Sequence, residues 1–134
     1  MAAEVVNTMA DNNYDKAINK AMQRLLIKAG IIIEGDAITK VPIDTGRLRG
    51  SITYATKGKR SRVRDRAKPS DAIPIPSQDN EVHIGTNVEY AQHVEYGTVR
   101  SAKQPFMRPA LDNNRSEITR VLGLEIHKGL ERGK

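Results

Sequence analysis

The 134-residue sequence contains no cysteine and no tryptophan, one phenylalanine and four tyrosines. Without cysteine the chain cannot form disulfides, thiolate zinc sites or iron–sulfur centres, and it has no cysteine nucleophile. The shortage of aromatic residues removes the platforms on which proteins usually stack single-stranded nucleic acid. The core must therefore consist mainly of isoleucine, valine, leucine and alanine, and the lack of cysteine suits a protein assembled in a cytosol.

Long apolar runs are also missing. No segment approaches the ~18 consecutive apolar residues of a membrane span. The first residues lack the basic and then apolar layout of a signal peptide. We therefore expect a soluble protein with no membrane partner, organised as a single domain over residues 1–134, since domains most often have about 100–150 residues.

Positive charge is concentrated in one short segment. The chain has 22 Lys and Arg against 16 Asp and Glu, a net charge of +6. Residues 57–68 contain only one acid, Asp65, and the following cations: Lys57, Lys59, Arg60, Arg62, Arg64, Arg66 and Lys68. Such a run is typical either of a solvated, flexible loop or of a contact for DNA or an acidic partner.

The apolar residues between Tyr14 and Pro42 predict a long first helix. They recur at steps of three and four, and the proline marks the end of the helix. Gly30 and Gly35 leave open a break or a short strand between them. Residues 1–12 show no period and predict a flexible arm.

A second set of apolar residues lies off the main stripe of this helix: Ile27, Ile31 and Ile38. A helix that is apolar on two faces is usually buried on two faces. In a chain this small we expect another subunit to supply the second cover. These isoleucines are therefore candidates for a homo-oligomer contact.

Alternation of β-branched residues predicts two antiparallel strands, over residues 51–56 and 81–88. The intervening residues 57–80 contain the basic run and three prolines, which cannot pair inside a sheet. This connection of about two dozen residues is far longer than a usual hairpin loop. We expect it to be mobile in the free subunit, because few apolar groups there offset an ordering cost of ~1–2 kcal/mol per residue.

Two more helices complete the predicted order. Residues 89–96 indicate a short helix that ends at Gly97. Pro109 suits the first turn of a final helix, in which Glu125 is the one polar interruption of the apolar face. The chain is therefore predicted to be an α+β domain: a small antiparallel sheet with a long hairpin loop, packed by a long N-terminal helix, a short helix and a C-terminal helix.

Catalytic and metal-binding patterns are absent from the sequence. The histidines, His83, His93 and His127, are the only candidate bases near neutral pH. His93 lies near two glutamates, but no third and fourth ligand accompany the group. No nucleotide-binding, zinc-protease or calcium-loop motif is present. We therefore expect no enzyme activity, no cofactor and no metal.

Three sequence blocks carry a resemblance to a known family. They are VPIDTGRLRGSI at residues 41–52, IGTNVEYAQHVEYGT at residues 84–98 and PFMRPAL at residues 105–111. In this order and spacing they resemble the neck and tail-completion family of long-tailed bacteriophages, whose small α+β subunits lie where the tail joins the head. Three arginines in the blocks have guanidinium groups suited to carboxylates across a subunit boundary: Arg47, Arg49 and Arg108.

The resemblance implies a structural virion protein that completes the tail and joins the tail tube to the head connector. It implies a ring of identical copies, expected to be a hexamer, assembled in the host cytoplasm and carried in the neck of the virion. The expected partners are further copies of the chain, the tail tube protein, the head connector proteins and DNA in the channel. The family pattern does not cover the length and charge of residues 57–80.

The alternative is a nucleic-acid-binding accessory protein, in which the positive charges of residues 57–68 attract the nucleic acid. It predicts that free subunits bind duplex DNA with a steep dependence on salt. The joining protein instead predicts weak binding by the monomer and assembly into rings.

Overall fold

The first helix is continuous over its predicted length. The computed structural model describes residues 4–7, 16–42 and 46–132. Helix α1 spans Lys16–Lys40, and its core stripe includes Leu26, Ile33 and Ala37, each with no exposed surface. The helix passes through both glycines without the break that the sequence left open. Lys40 lies in its last turn, where a cation is favoured by the helix dipole.

A three-stranded antiparallel sheet packs on α1. Strand β1 covers Glu4–Asn7, β2 covers Thr53–Ala55 and β3 covers Glu81–Gly85, in the spatial order β1-β3-β2. Tyr54 of β2 lies opposite Ile84 of β3. Both predicted strands are present, although each is shorter than its alternating pattern indicated.

The N-terminal strand was not predicted. Glu4–Asn7 pairs with β3 along its whole length, where the sequence predicted a flexible arm over residues 1–12. Four residues are too few to show a period, but the free edge of β3 offers them hydrogen bonds. The remainder of the predicted arm lies outside the described residues.

The predicted short helix is present as α3, Ala91–Tyr96. Gly97 ends it with a φ of 79°, a conformation that favours glycine. The single final helix predicted from Pro109 onward is instead two helices, α4 over Met107–Asn113 and α5 over Arg115–Arg132. The side chain of Asn114 explains the break, because its amide donates to Asp36 of α1 at 2.8 Å.

A short helix that the sequence did not predict, α2 over Arg47–Ser51, connects α1 to β2. The Asp44-Thr45 part of the turn before it lies outside the described residues. The central core combines residues of α1, the sheet and α4. Its completely buried members include Leu26, Ile52, Ile84 and Phe106.

Candidate functional site

The basic connection between β2 and β3 folds back on the domain and does not project from it. Ala55 bridges to Arg60, and the amide of Ser61 donates to the carbonyl oxygen of Tyr54 at 3.0 Å. The outer edge of β2 is therefore covered by the start of the loop, which is how many proteins protect an edge strand. The predicted mobility of this loop in the free subunit stays a prediction.

Backbone contact with α2 fixes the middle of the loop. The amide of Arg64 donates to the carbonyl oxygen of Gly50 at 2.8 Å. A Cβ atom at Gly50 would lie 2.0 Å from the carbonyl oxygen of Arg64. Only glycine permits so close an approach. The chain then reverses at Asp65, whose φ of 51° lies in the left-handed region.

One of the seven cations of the basic run faces inward. The Arg64 guanidinium donates to Glu34 of α1 at 2.9 Å and to the carbonyl oxygen of Ile52 at 2.6 Å. Glu34 is buried, and this burial raises the pKa of its carboxyl group, while Ser61 and Arg64 act in the opposite direction. Arg64 therefore compensates a buried carboxylate and is not available as an external contact.

Arg47 connects three parts of the chain. Its guanidinium donates to Asp71 at 3.0 and 3.1 Å and to Glu89 at 3.0 and 3.1 Å. It also lies 5.7 Å from the centre of the Tyr90 ring, a cation–π distance. The hydrogen bonds from Arg47 are the main reason that the pKa of Asp71 is below its usual value.

Asp71 anchors the far end of the loop. It lies in a 3₁₀ turn over Pro69–Asp71 and is 4 % exposed. Its carboxylate accepts from the amide of Lys68 at 3.0 Å, and its carbonyl oxygen accepts from the amide of Asn87 at 2.8 Å. Arg47 thus binds two carboxylates of its own chain, and its predicted role at a subunit boundary stays a prediction.

Glu95 joins the second sequence block to the third. It is 3 % exposed and accepts from the backbone amides of Phe106, Met107 and Arg108 at 3.1, 2.9 and 3.2 Å. These amides begin α4, where a carboxylate satisfies free donors and complements the helix dipole. In the sequence, this glutamate was considered only as a neighbour of His93, and its contact with the start of α4 was not predicted.

Six of the seven cations of the basic run lie at the surface. Lys57 pairs with exposed Asp79 at 3.6 Å, and Arg64 is used internally. The other five are all exposed and are called the basic strip below: Lys59, Arg60, Arg62, Arg66 and Lys68. Asp65 is the one acid among them. The basic strip is therefore a set of positive charges carried on an anchored backbone.

The second apolar face of α1 is partly covered by the chain itself. Ile27 and Ile38 are half-buried and pack against the central core. Ile31 is 52 % exposed. Only Ile31 of the three is thus mainly at the surface, and its role in a subunit contact stays a prediction. The same holds for Arg49, which is half-buried, and Arg108, which is exposed.

The described part of the chain contains no cluster of three His, Asp or Glu side chains arranged to hold a metal. His93 is exposed on α3, and His83 contacts Glu81 at 3.3 Å. None of the helices that the structure describes has both the length and the apolarity needed to cross a bilayer.

Comparison with known families identifies the chain. The model of a family described as "Bacteriophage HK97-gp10, putative tail-component" matches residues 6–97. The chain belongs to this HK97-gp10-like family. The match includes α1, the basic connection and α3, and it contains the first sequence block and nearly all of the second. Comparisons with curated proteins and with solved structures gave no significant match.

Membership of the HK97-gp10-like family makes the chain a structural component of a phage tail, and hence a virion protein. The resemblance seen in the three sequence blocks is thereby confirmed at the level of the family. A tail component works through contacts with other virion proteins, which supports a structural and not an enzymatic role.

Proposed function

We propose that this HK97-gp10-like protein completes the tail and joins the tail tube to the head connector as a ring of identical copies, with six subunits as the expected number. The observation that carries the proposal is the family match over residues 6–97. The order of the three sequence blocks supports the more specific position at the neck. Assembly in the host cytoplasm and contacts with tube and connector proteins belong to the same proposal.

A closed ring needs two different surfaces on each subunit, since every copy meets its neighbours head to tail. Exposed apolar side chains are the natural candidates for such contacts. Ile31 on α1 is one, and Tyr96 and Val99 beside the end of α3 are others, at 68 % and 105 % exposed. Arg47, Arg49 and Arg108 are proposed as polar members of the contact, and the bonds of Arg47 to Asp71 and Glu89 would fix the position of its side chain there.

Ile31→Glu is the variant that tests the α1 contact. A charge at this position would have to be desolvated in the ring, so we expect the assembled fraction to fall about tenfold or more. Leu124→Glu on α5 is the matched control, because Leu124 is 48 % exposed and Ile31 is 52 % exposed. Sedimentation or native mass spectrometry measures the result. Equal loss in both variants, or in neither, would contradict the assignment of α1 to the contact.

Imaging tests the proposal as a whole. Particles assembled with a labelled copy of the chain are expected to show density for a ring between tail tube and head. Label distributed along the whole tail, or found only at the distal tip, would contradict a joining role while leaving the tail family intact.

A further inference from the structure

We propose that the basic strip binds the phosphate backbone of duplex DNA. The inference rests on the proposed function, since a joining ring encloses the channel through which DNA passes. It adds duplex DNA as a direct partner of this subunit. The residues that would contact the DNA are those of the basic strip: Lys59, Arg60, Arg62, Arg66 and Lys68. It also combines the two functions that the sequence left as alternatives into one subunit.

The loop that carries the basic strip is anchored to the rest of the subunit. Arg64 is held by Gly50 through the backbone and by Glu34 through its side chain. The backbone that carries the cations is therefore tied to α1 and α2 within the subunit, and such contacts lower the entropy cost of binding relative to a free arm. Five exposed like charges on one ten-residue segment repel one another unless an anion is present to neutralise them.

The chemistry of the basic strip favours phosphates over an acidic protein. Protein interfaces usually have an apolar centre rich in aromatic residues. Residues 57–70 present no large exposed apolar side chain, and those that the described chain does expose lie elsewhere: Ile31, Ile75, Tyr96, Val99 and Leu124. Contacts to the DNA backbone require only cations and hydrogen-bond donors, and Arg60, Arg62 and Arg66 supply both.

The expected strength follows from the number of charges. Five phosphate contacts predict that the logarithm of the binding constant falls with the logarithm of the salt concentration with a slope of about −4.5. A single subunit is expected to bind weakly, with a Kd of about 10⁻⁴ M at physiological salt. A ring presents several strips to one duplex, which raises the effective concentration and tightens binding without new contacts.

The test uses the full chain and a duplex of mixed sequence, about 20 base pairs long, titrated over a range of salt concentrations. The variant Arg60→Gln, Arg62→Gln, Arg66→Gln is expected to reduce the steepness of the slope by about 2.7, which is three contacts. The control removes three exposed cations outside the strip, by Lys20→Gln, Arg100→Gln and Lys103→Gln. The control is expected to retain nearly the whole slope.

Three results would overturn the inference. They are no binding by the unaltered chain at low salt, the same slope in the strip variant as in the unaltered chain, and an equal reduction in strip variant and control. Binding of polyglutamate but not of duplex, lost in the strip variant, would also overturn it and assign the strip to an acidic protein.

The ring itself is measured separately, by the mass of the assembled protein. A chain that assembles but does not bind duplex disproves the DNA contact and leaves the joining function standing. A chain that binds duplex but never assembles disproves the joining function alone. The strip variant is expected to assemble normally.

Discussion

Two glycines in α1 illustrate how differently the same residue type acts at neighbouring positions. A Cβ atom at Gly30 would lie 2.8 Å from Cγ of Tyr54, which is closer than packed atoms tolerate. A Cβ atom at Gly35 would have nothing within 4 Å. Gly30 thus permits β2 to pack directly on α1, whereas Gly35 only adds flexibility to the unfolded chain.

We expect Gly30→Ala to lower the free energy of unfolding by about 1–3 kcal/mol, because the buried Tyr54 ring must shift to make room. Gly35→Ala serves as the control within the same helix and is expected to raise that free energy by up to about 1 kcal/mol, since alanine is the better helix former. Urea unfolding of both variants measures the difference. Equal effects would mean that the contact between Gly30 and Tyr54 does not limit packing.

Most individual partners could not be predicted from the sequence, because each lies far away along the chain. Arg47 was singled out correctly as a residue that seeks carboxylates, but its partners Asp71 and Glu89 are 24 and 42 residues away. Glu95 was considered only as a neighbour of His93, and its bonds to residues 106–108 were not predicted. A side chain shows its chemistry in the sequence, whereas the choice between a neighbouring subunit and its own chain depends on the fold.

Helices α1 and α5 are joined by ion pairs around one buried glutamate. Glu125 of α5 is 1 % exposed. It accepts from Arg24 at 2.8 Å and from Lys28, both on α1. The hydrogen bond from Lys28, followed by that from Arg24, lowers the pKa of Glu125 to about 2 from its ordinary value of 4.5. The polar interruption seen in the sequence is thus the residue that positions α5.

Glu125→Gln tests this connection between the two helices. We expect it to lower the free energy of unfolding at pH 7 by about 2 kcal/mol, because Arg24, Lys28 and the more distant Lys128 lose their charged partner but remain in reach of solvent. A carboxyl group whose pKa is lower in the folded protein stabilises the fold at pH values above its unfolded pKa. This stabilisation is lost as the pH falls through the folded pKa. The difference between variant and unaltered chain should therefore shrink between about pH 4.5 and pH 2.

Glu117→Gln is the matched control on the same helix, since the side chain of Glu117 is 47 % exposed and pairs with the exposed Arg120. It should change the stability little at any pH. Thermal unfolding at neutral and acidic pH measures both variants. A loss in Glu125→Gln that stays constant down to pH 2 would show that the carboxylate charge does not hold α5 in place.

Elements with a sustained period could be predicted, whereas short ones could not. The repeated spacing of apolar residues fixed α1 within two residues of its ends, and Gly97 fixed the end of α3. Strand β1 has only four residues and α2 only five, too few for a period. The end of α4 depends on the contact of Asn114 with Asp36, 78 residues away, so local sequence preference did not reveal it.

At the scale of the whole molecule, the loop between β2 and β3 has contacts that its composition does not reveal. Its few apolar residues predict mobility in the free subunit, and this stays a prediction. The structure shows the polar contacts of the loop: the buried Asp71, the inward Arg64 and backbone hydrogen bonds to α2 and β2. Each of these contacts pairs a polar group with a distant partner, so composition alone underestimates how well the segment is held.

The region that matches the family model does not contain the whole of the central core. The match ends at residue 97, yet Phe106, Met107 and Ala110 of the following segment are buried in the central core. A fragment of residues 1–97 would expose the surface of α1 and the sheet that these side chains cover. It would also remove the backbone amides of Phe106, Met107 and Arg108 to which Glu95 is bound.

We therefore expect the fragment of residues 1–97 to lack a cooperative unfolding transition, although it contains the whole of the family match. Removing the side chain of Phe106 or of Met107 from the core is expected to cost about 3 kcal/mol in each case. The free energy of unfolding of a typical domain is only about 5–15 kcal/mol. A fragment of residues 1–114 is the control, because it keeps α4 and lacks α5. Circular dichroism during heating should show a transition for the control that is weaker than in the full chain but cooperative. A cooperative transition in the shorter fragment would mean that the matched region folds independently and that α4 is an accessory to its core.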